Sequence, residues 1–149
     1  MTDTTLPFTL DSARHYYGEI FAPWIQDLNI TIESLDSKQV IMRMPFDNKL
    51  CRIGGIVCGQ SQMALIDTCM VFVCFIGLKK FTDCATVTQN SSFLRPAIGK
   101  DIIATGRVVK AGRTLVFGEV ILNAAGDPRP ISTGTATYAV LGQAGSKTK

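Results

Sequence analysis

The chain has 149 residues, 46% of them hydrophobic and 18% charged, which fits one compact domain with a large core and apolar surface left for another subunit. Its net charge of +3 comes from 15 basic and 12 acidic residues that form no run and alternate with no aromatic platform, which argues against a nucleic-acid partner. The five cysteines (Cys51, Cys58, Cys69, Cys74, Cys84) have no CxxC spacing and only one histidine beside them, so a zinc site is not expected and a reducing, cytoplasmic setting is.

The N-terminus has no basic start leading into an apolar stretch, so no signal peptide is read there. Between Thr9 and Gln26 the residues Ala13, Tyr16, Tyr17, Ile20, Phe21 and Trp24 follow helical spacing, with Asp11 or Ser12 as cap and Pro23 as breaker. Leu28–Leu35 and Val40–Met44 alternate as strands around a short DSK turn, which predicts a hairpin. A loop is expected from Asp47 to Gly59. Gln60–Phe75 then contains no Pro or Gly and a single charge, Asp67, and reads as a helix buried nearly all round, stopped by Gly77. Interrupted by Asp67 and Thr68, the apolar run from Met63 to Leu78 is judged too short and too polar to span a bilayer, so no membrane association is expected.

Four β-rich runs follow: Ala85–Leu94, Asp101–Lys110, Thr114–Leu122 and Ile131–Leu141. The separators PAIGK, AGR and NAAGDPRP carry turn chemistry, and an antiparallel meander is predicted. Residues 142–149 are expected to be a disordered tail of a single domain spanning 1–149, with its core in 20–141. This order predicts an α+β fold in which a curved antiparallel sheet wraps one long central helix, with a second subunit covering the helix face turned away from the sheet.

Asp67 is the first candidate for chemistry. An unpaired carboxylate in apolar surroundings is costly when ionised, and burial raises its pKa toward the range of a general acid or base. A structural Asp bonded to a neighbour would satisfy the same pattern. The helix begins after RIGGIVCGQ, where glycines approach unpaired N–H groups that can hold an oxyanion, and Gly59 is placed for this. An ordinary glycine-rich turn gives the same spacing. Cys58 precedes the helix start, where a thiol can be activated, but it has no evident histidine partner; the one histidine, His15, reads as a surface residue of the first helix. No GxSxG motif is present.

The stretch RIGGIVCGQSQMALIDT resembles the signature of PaaI-type hotdog thioesterases, a loop of the form N-x-x-G-x-x-H-G-G followed by a helix carrying L-x-D. The downstream segment TVTQNSSFLRPAIGKDIIATGRVVKAGRTLVFGEVIL resembles the strands of the same family, and the resemblance spans about residues 20–141. It implies an acyl-CoA thioesterase with a hotdog fold. Asp67 takes the place of the family's carboxylate, Gly59 that of the glycine whose N–H polarises the carbonyl, and Thr86 that of the hydroxyl that helps position water. It further implies sites shared between the subunits of a homodimer or homotetramer, and no cofactor beyond the coenzyme A of the substrate. Cys58 stands at the histidine position, Arg52 at the asparagine position with Asn48 as its possible substitute, and Gln60 at the second glycine. Arg95, Lys110 and Arg113 at strand turns are assigned to the coenzyme A phosphates, and Asn90 joins them as substrate-binding. Met63, Met70, Phe72 and Phe81 are expected to line the acyl tunnel. Two alternatives stay open: a hotdog domain that binds acyl-CoA without cleaving it, and an enoyl-CoA hydratase or dehydratase.

Overall fold

The computed structural model describes residues 5–142. Helix α1 covers Leu10–Ile20 and α2 Pro23–Gln26; strands β1 (Thr31–Leu35) and β2 (Gln39–Met44) follow, then a 3-10 turn at Asn48–Leu50. Two short strands, β3 (Cys51–Arg52) and β4 (Ile56–Val57), lead into the central helix α3 (Gly59–Leu78). The chain ends with β5 (Asp83–Phe93), β6 (Ile102–Ala111), β7 (Leu115–Ala124) and β8 (Pro130–Gly142). A six-stranded antiparallel sheet of order β1-β2-β6-β7-β8-β5 curls around α3. This is the helix-in-sheet arrangement expected of a hotdog fold.

Several local expectations are corrected. Thr9, not Asp11 or Ser12, caps α1: it accepts from the Ser12 N–H while the Ser12 hydroxyl accepts from the Thr9 N–H, a reciprocal capping box. The helical stretch is broken just before Pro23, as expected, and Pro23 also opens the second helix, at a position where its missing N–H costs nothing. The loop from Asp47 to Gly59 contains the β3–β4 hairpin, turned by Gly54 and Gly55 at φ +96° and +74°. Helix α3 runs through Gly77 and stops at Lys79, which takes the left-handed conformation at φ 56°. Of the expected tail, Gly142 closes β8 and residues 143–149 lie outside the described residues.

The predicted four-strand meander holds only for β6, β7 and β8. Strand β5 crosses to the far edge and pairs with β8, in a register that sets Thr86 opposite Tyr138. The connection 94–101 makes this possible. Eight extended residues span up to ~26 Å, whereas β5 and β6 are three strand spacings, about 14 Å, apart. The connection is held on its way, since the Val57 N–H donates to the Ala97 carbonyl at 2.9 Å. Local turn chemistry specifies that a strand ends, not which strand it pairs with next.

Helix α3 is long and apolar enough to cross a membrane by length and composition, contrary to the expectation from its sequence, but 72% of its most apolar window is buried inside the fold. One side lies on the sheet. A Cβ at Gly106 would sit 2.6 Å from Cys69 Sγ, and one at Gly118 would sit 2.7 Å from Met70, so β6 and β7 approach α3 where a side chain has no room. Much of the other side is covered by the chain's own N-terminal segment. Tyr16 packs edge-on against Phe75 at 5.5 Å and stacks on Phe81 at 4.7 Å, while Phe21 stacks on Phe72 at 6.0 Å. The helix surface expected to need a second subunit is thereby narrowed to a stripe of Gln60, Met63, Asp67 and Val71.

Candidate active site

Asp67 lies midway along α3 on this exposed stripe and is half-buried. It is not unpaired, as its apolar surroundings in sequence had implied. Thr86 Oγ1 on the edge strand β5 donates to Asp67 Oδ1 at 2.9 Å, and the Tyr138 hydroxyl on β8 donates to the same oxygen. Tyr138 OH also lies 2.8 Å from the Asp67 main-chain carbonyl. The register places Thr86 and Tyr138 directly opposite each other, so neighbouring strands deliver two hydroxyls to one carboxylate oxygen. Burial, and then the Asp67 charge, push the Tyr138 phenol well above its ordinary value, so it remains a protonated donor.

Tyr138 was missed by sequence reasoning. It sits in an alternating strand, where an aromatic reads as core. The available signal was that a buried tyrosine hydroxyl needs a partner, and Asp67 is the sole charge on the helix this strand covers.

Beside Asp67 runs a cleft of about 320 Å³ lined by Trp24, Gln60, Met63, Ala64, Asp67 and Gln89. Trp24 and Met63 are exposed at 61% and 43%, an uncommon state for such large apolar side chains. Gln60 therefore belongs to the carboxylate's cleft. Of the four expected tunnel residues only Met63 lines it. Met70 and Phe72 are fully buried core, and Phe81 joins the aromatic cluster with Phe8, Tyr16 and Phe75.

Gly59 is the first residue of α3, and Cys58 is its N-cap without a side-chain hydrogen bond to the first turn. The initial N–H groups thus carry the positive end of the helix dipole uncapped. Gly59 borders a groove of about 460 Å³ together with Arg52, Gln62, Phe93, Leu94 and Arg95. Arg52 and Arg95 are thus gathered at one place from β3 and from the crossing connection; Arg95 Nη1 donates to the Pro130 carbonyl at 2.7 Å. Gln62 is buried and ties its amide N–H to the Val57 carbonyl at 3.2 Å, while its Oε1 has no protein partner.

The remaining sequence candidates are scattered within one chain. Cys58 Sγ is 3.5 Å from Ser61 Oγ, and the one histidine, His15, is exposed on α1 beside Glu19, so no Cys–His pair forms. Asn48 is exposed on the 3-10 turn and is absent from the Gly59 groove, and Asn90 is exposed on β5 opposite Thr135. Lys110 and Arg113 flank Ala111, whose Cβ packs at Gly77 near the far end of α3, about 27 Å along the helix from Gly59. Asp67 itself is about 12 Å along the axis from Gly59.

A family profile described as the thioesterase superfamily matches residues 54–131, just over half of the chain and including both Gly59 and Asp67. The chain belongs to the thioesterase superfamily. No curated protein matches it. Among solved structures, a candidate thioesterase from Silicibacter sp. TM1040 is similar at 29% identity and TM-score 0.82, over 93% of this chain and 96% of that one. A thioesterase family protein from Silicibacter pomeroyi is 26% identical with TM-score 0.77, covering 89% of this chain and 97% of its own. A thioesterase from Haemophilus influenzae shares the fold at TM-score 0.83 and 16% identity, over 97% and 99% of the two chains. Membership and the two Silicibacter likenesses support thioester hydrolysis as the general activity of this superfamily member, a hydrolase.

Proposed function

We propose that this thioesterase-superfamily protein hydrolyses an acyl-CoA in a site completed by two copies of the chain. The observation that carries the reading is the placement of Asp67: the single carboxylate of α3, bonded by Thr86 and opening on an apolar cleft. In the reaction, water attacks the thioester carbonyl carbon as Asp67 takes its proton. The carbonyl oxygen becomes an oxyanion held by the Gly59 N–H at the helix start. The C–S bond then breaks, and the departing thiolate recovers the proton from the Asp67 carboxyl.

Gly59 and Asp67 of one chain are about 12 Å apart, too far to serve one carbonyl, which calls for Gly59 from a neighbour. Strand β5 supplies a means of pairing. It is an edge strand of 11 residues, paired only with β8 among the described residues, with one charge, Asp83, and neither Lys nor Pro to block another strand. Acyl chain and thioester would occupy the Trp24–Met63 cleft. Arg52 and Arg95 would meet coenzyme A phosphates beside Gly59, with Asn48, Asn90, Lys110 and Arg113 reaching the substrate only through the neighbouring copy. Gln60 would border the acyl group, and Cys58 would act through its N-cap backbone. Coenzyme A enters as part of the substrate and no further cofactor is invoked. The free thiols suit a reducing cytoplasm.

Hydrolysis of a panel of acyl-CoAs, followed as thiol release, tests the reading. Asp67→Ala is expected to lower kcat by ~10²–10⁴. Undiminished turnover would remove Asp67 from the mechanism. Because Cys58 and Arg52 replace the family's histidine and asparagine, tight binding of acyl-CoA without thiol release would favour the non-hydrolytic alternative instead.

A further inference from the structure

We propose that Tyr138 is a positioning residue for Asp67, its buried hydroxyl clamping Oδ1 together with Thr86 so that Oδ2 alone is left to meet water. The inference rests on Asp67 being the reacting carboxylate.

The geometry is specific. Among the described residues every hydrogen bond to the carboxylate falls on Oδ1, from Thr86 and from Tyr138. An aspartate rotates about its terminal bond in a broad, roughly two-fold well, so a half-exposed carboxylate presents either oxygen unless something holds it. Thr86 is exposed on a strand at the sheet edge and its hydroxyl can turn to water instead. Tyr138 cannot: its side chain is 1% exposed, and its ring is fixed in the core. Its single hydroxyl hydrogen is shared between Oδ1 and the Asp67 main-chain oxygen, which ties the carboxylate to the helix backbone as well. The other titratable groups that sense the Asp67 charge are the thiols of Cys74 on α3 and Cys84 on β5.

Tyr138→Phe keeps the ring and deletes the donor. In the free protein, the Asp67 carboxyl carbon is followed by NMR at neutral pH, with its signal assigned from Asp67→Asn. Its chemical shift is expected to move in Tyr138→Phe, because one charge-assisted hydrogen bond to the carboxylate is lost. In thioester hydrolysis the same variant should lose about tenfold in kcat with KM within twofold. An unmoved carboxyl signal overturns the clamp. A moved signal with unchanged kcat overturns its role in positioning. The thioesterase reading fails separately, if Asp67→Asn retains full turnover. Should Tyr138→Phe not fold, the native protein decides. Its Tyr138 hydroxyl proton is expected as a slowly exchanging resonance displaced in Asp67→Asn, and a freely exchanging hydroxyl overturns the proposal.

Discussion

Asp67 stands out in the sequence because it interrupts an apolar run, and a charge in such a run needs a reason. The sequence around it offers no partner, and both partners come from strands far along the chain. Their contributions separate by substitution. Thr86→Val removes a solvent-facing donor and is expected to lower thioester turnover by severalfold, while Thr86→Ser, which keeps the hydroxyl, should restore most of it; steady-state kinetics on one acyl-CoA distinguish the two. Trp24 is a second case. Its spacing continues the helical series from Ala13, yet it belongs to the separate helix α2 and is exposed beside Asp67.

Elements follow from local rules, and their fit to one another does not. The capping box of α1 was within reach of sequence rules, and Thr9→Ala is expected to cost ~1 kcal/mol in urea unfolding. Gly106 looks like any glycine in a strand, but an added methyl would press on Cys69 Sγ and Val73 at 2.6 and 2.7 Å. Gly106→Ala should destabilise by about 1–3 kcal/mol, the usual cost of overpacking a filled core. Gly18, inside α1, has no neighbour within 4 Å of such a methyl, and Gly18→Ala should instead stabilise by about 0.5–1 kcal/mol. The two opposite signs, read in one denaturation experiment, separate helix propensity from helix-on-sheet packing. The meander failed at this scale for the same reason: β5 was recognisable as a strand, but its partnership with β8 depends on where the sheet closes around α3.

For the whole molecule, the shared site makes a quantitative demand. Asp67→Ala and Gly59→Pro each remove one half of it. The proline suits a first helical position and deletes only the N–H, although its ring must displace Phe93, which lies 3.2 Å from a Cβ at Gly59. Mixed after unfolding and refolding together, two inactive variants of a two-fold dimer should recover about one quarter of native turnover, because half the dimers are hybrids with one intact site. No recovery would place the whole site within one chain. Acid stability has its own signature. The Arg129 guanidinium beside Asp127 lowers that carboxyl to about 2, and the Phe46 N–H with Arg43 lowers Asp101. Folded values below the unfolded ones mean that their stabilisation is present above about pH 4 and is lost as pH falls toward 2. Urea midpoints measured against pH should drop across that window, and less steeply in Asp101→Asn.

Sequence by itself determined the α+β class, the run of strands, the buried central helix, and the pair of positions, Gly59 and Asp67, that open its N-terminus and mark its middle. These are properties of periodicity and of single residues out of place, and they are set by neighbours a few positions away. Tertiary structure alone decided which strand closes the sheet, that α1 shields one side of the helix, and that Thr86 and Tyr138 meet on one oxygen of Asp67. Those outcomes depend on long-range strand register, where a shift by one residue turns Tyr138 from the helix to the opposite face.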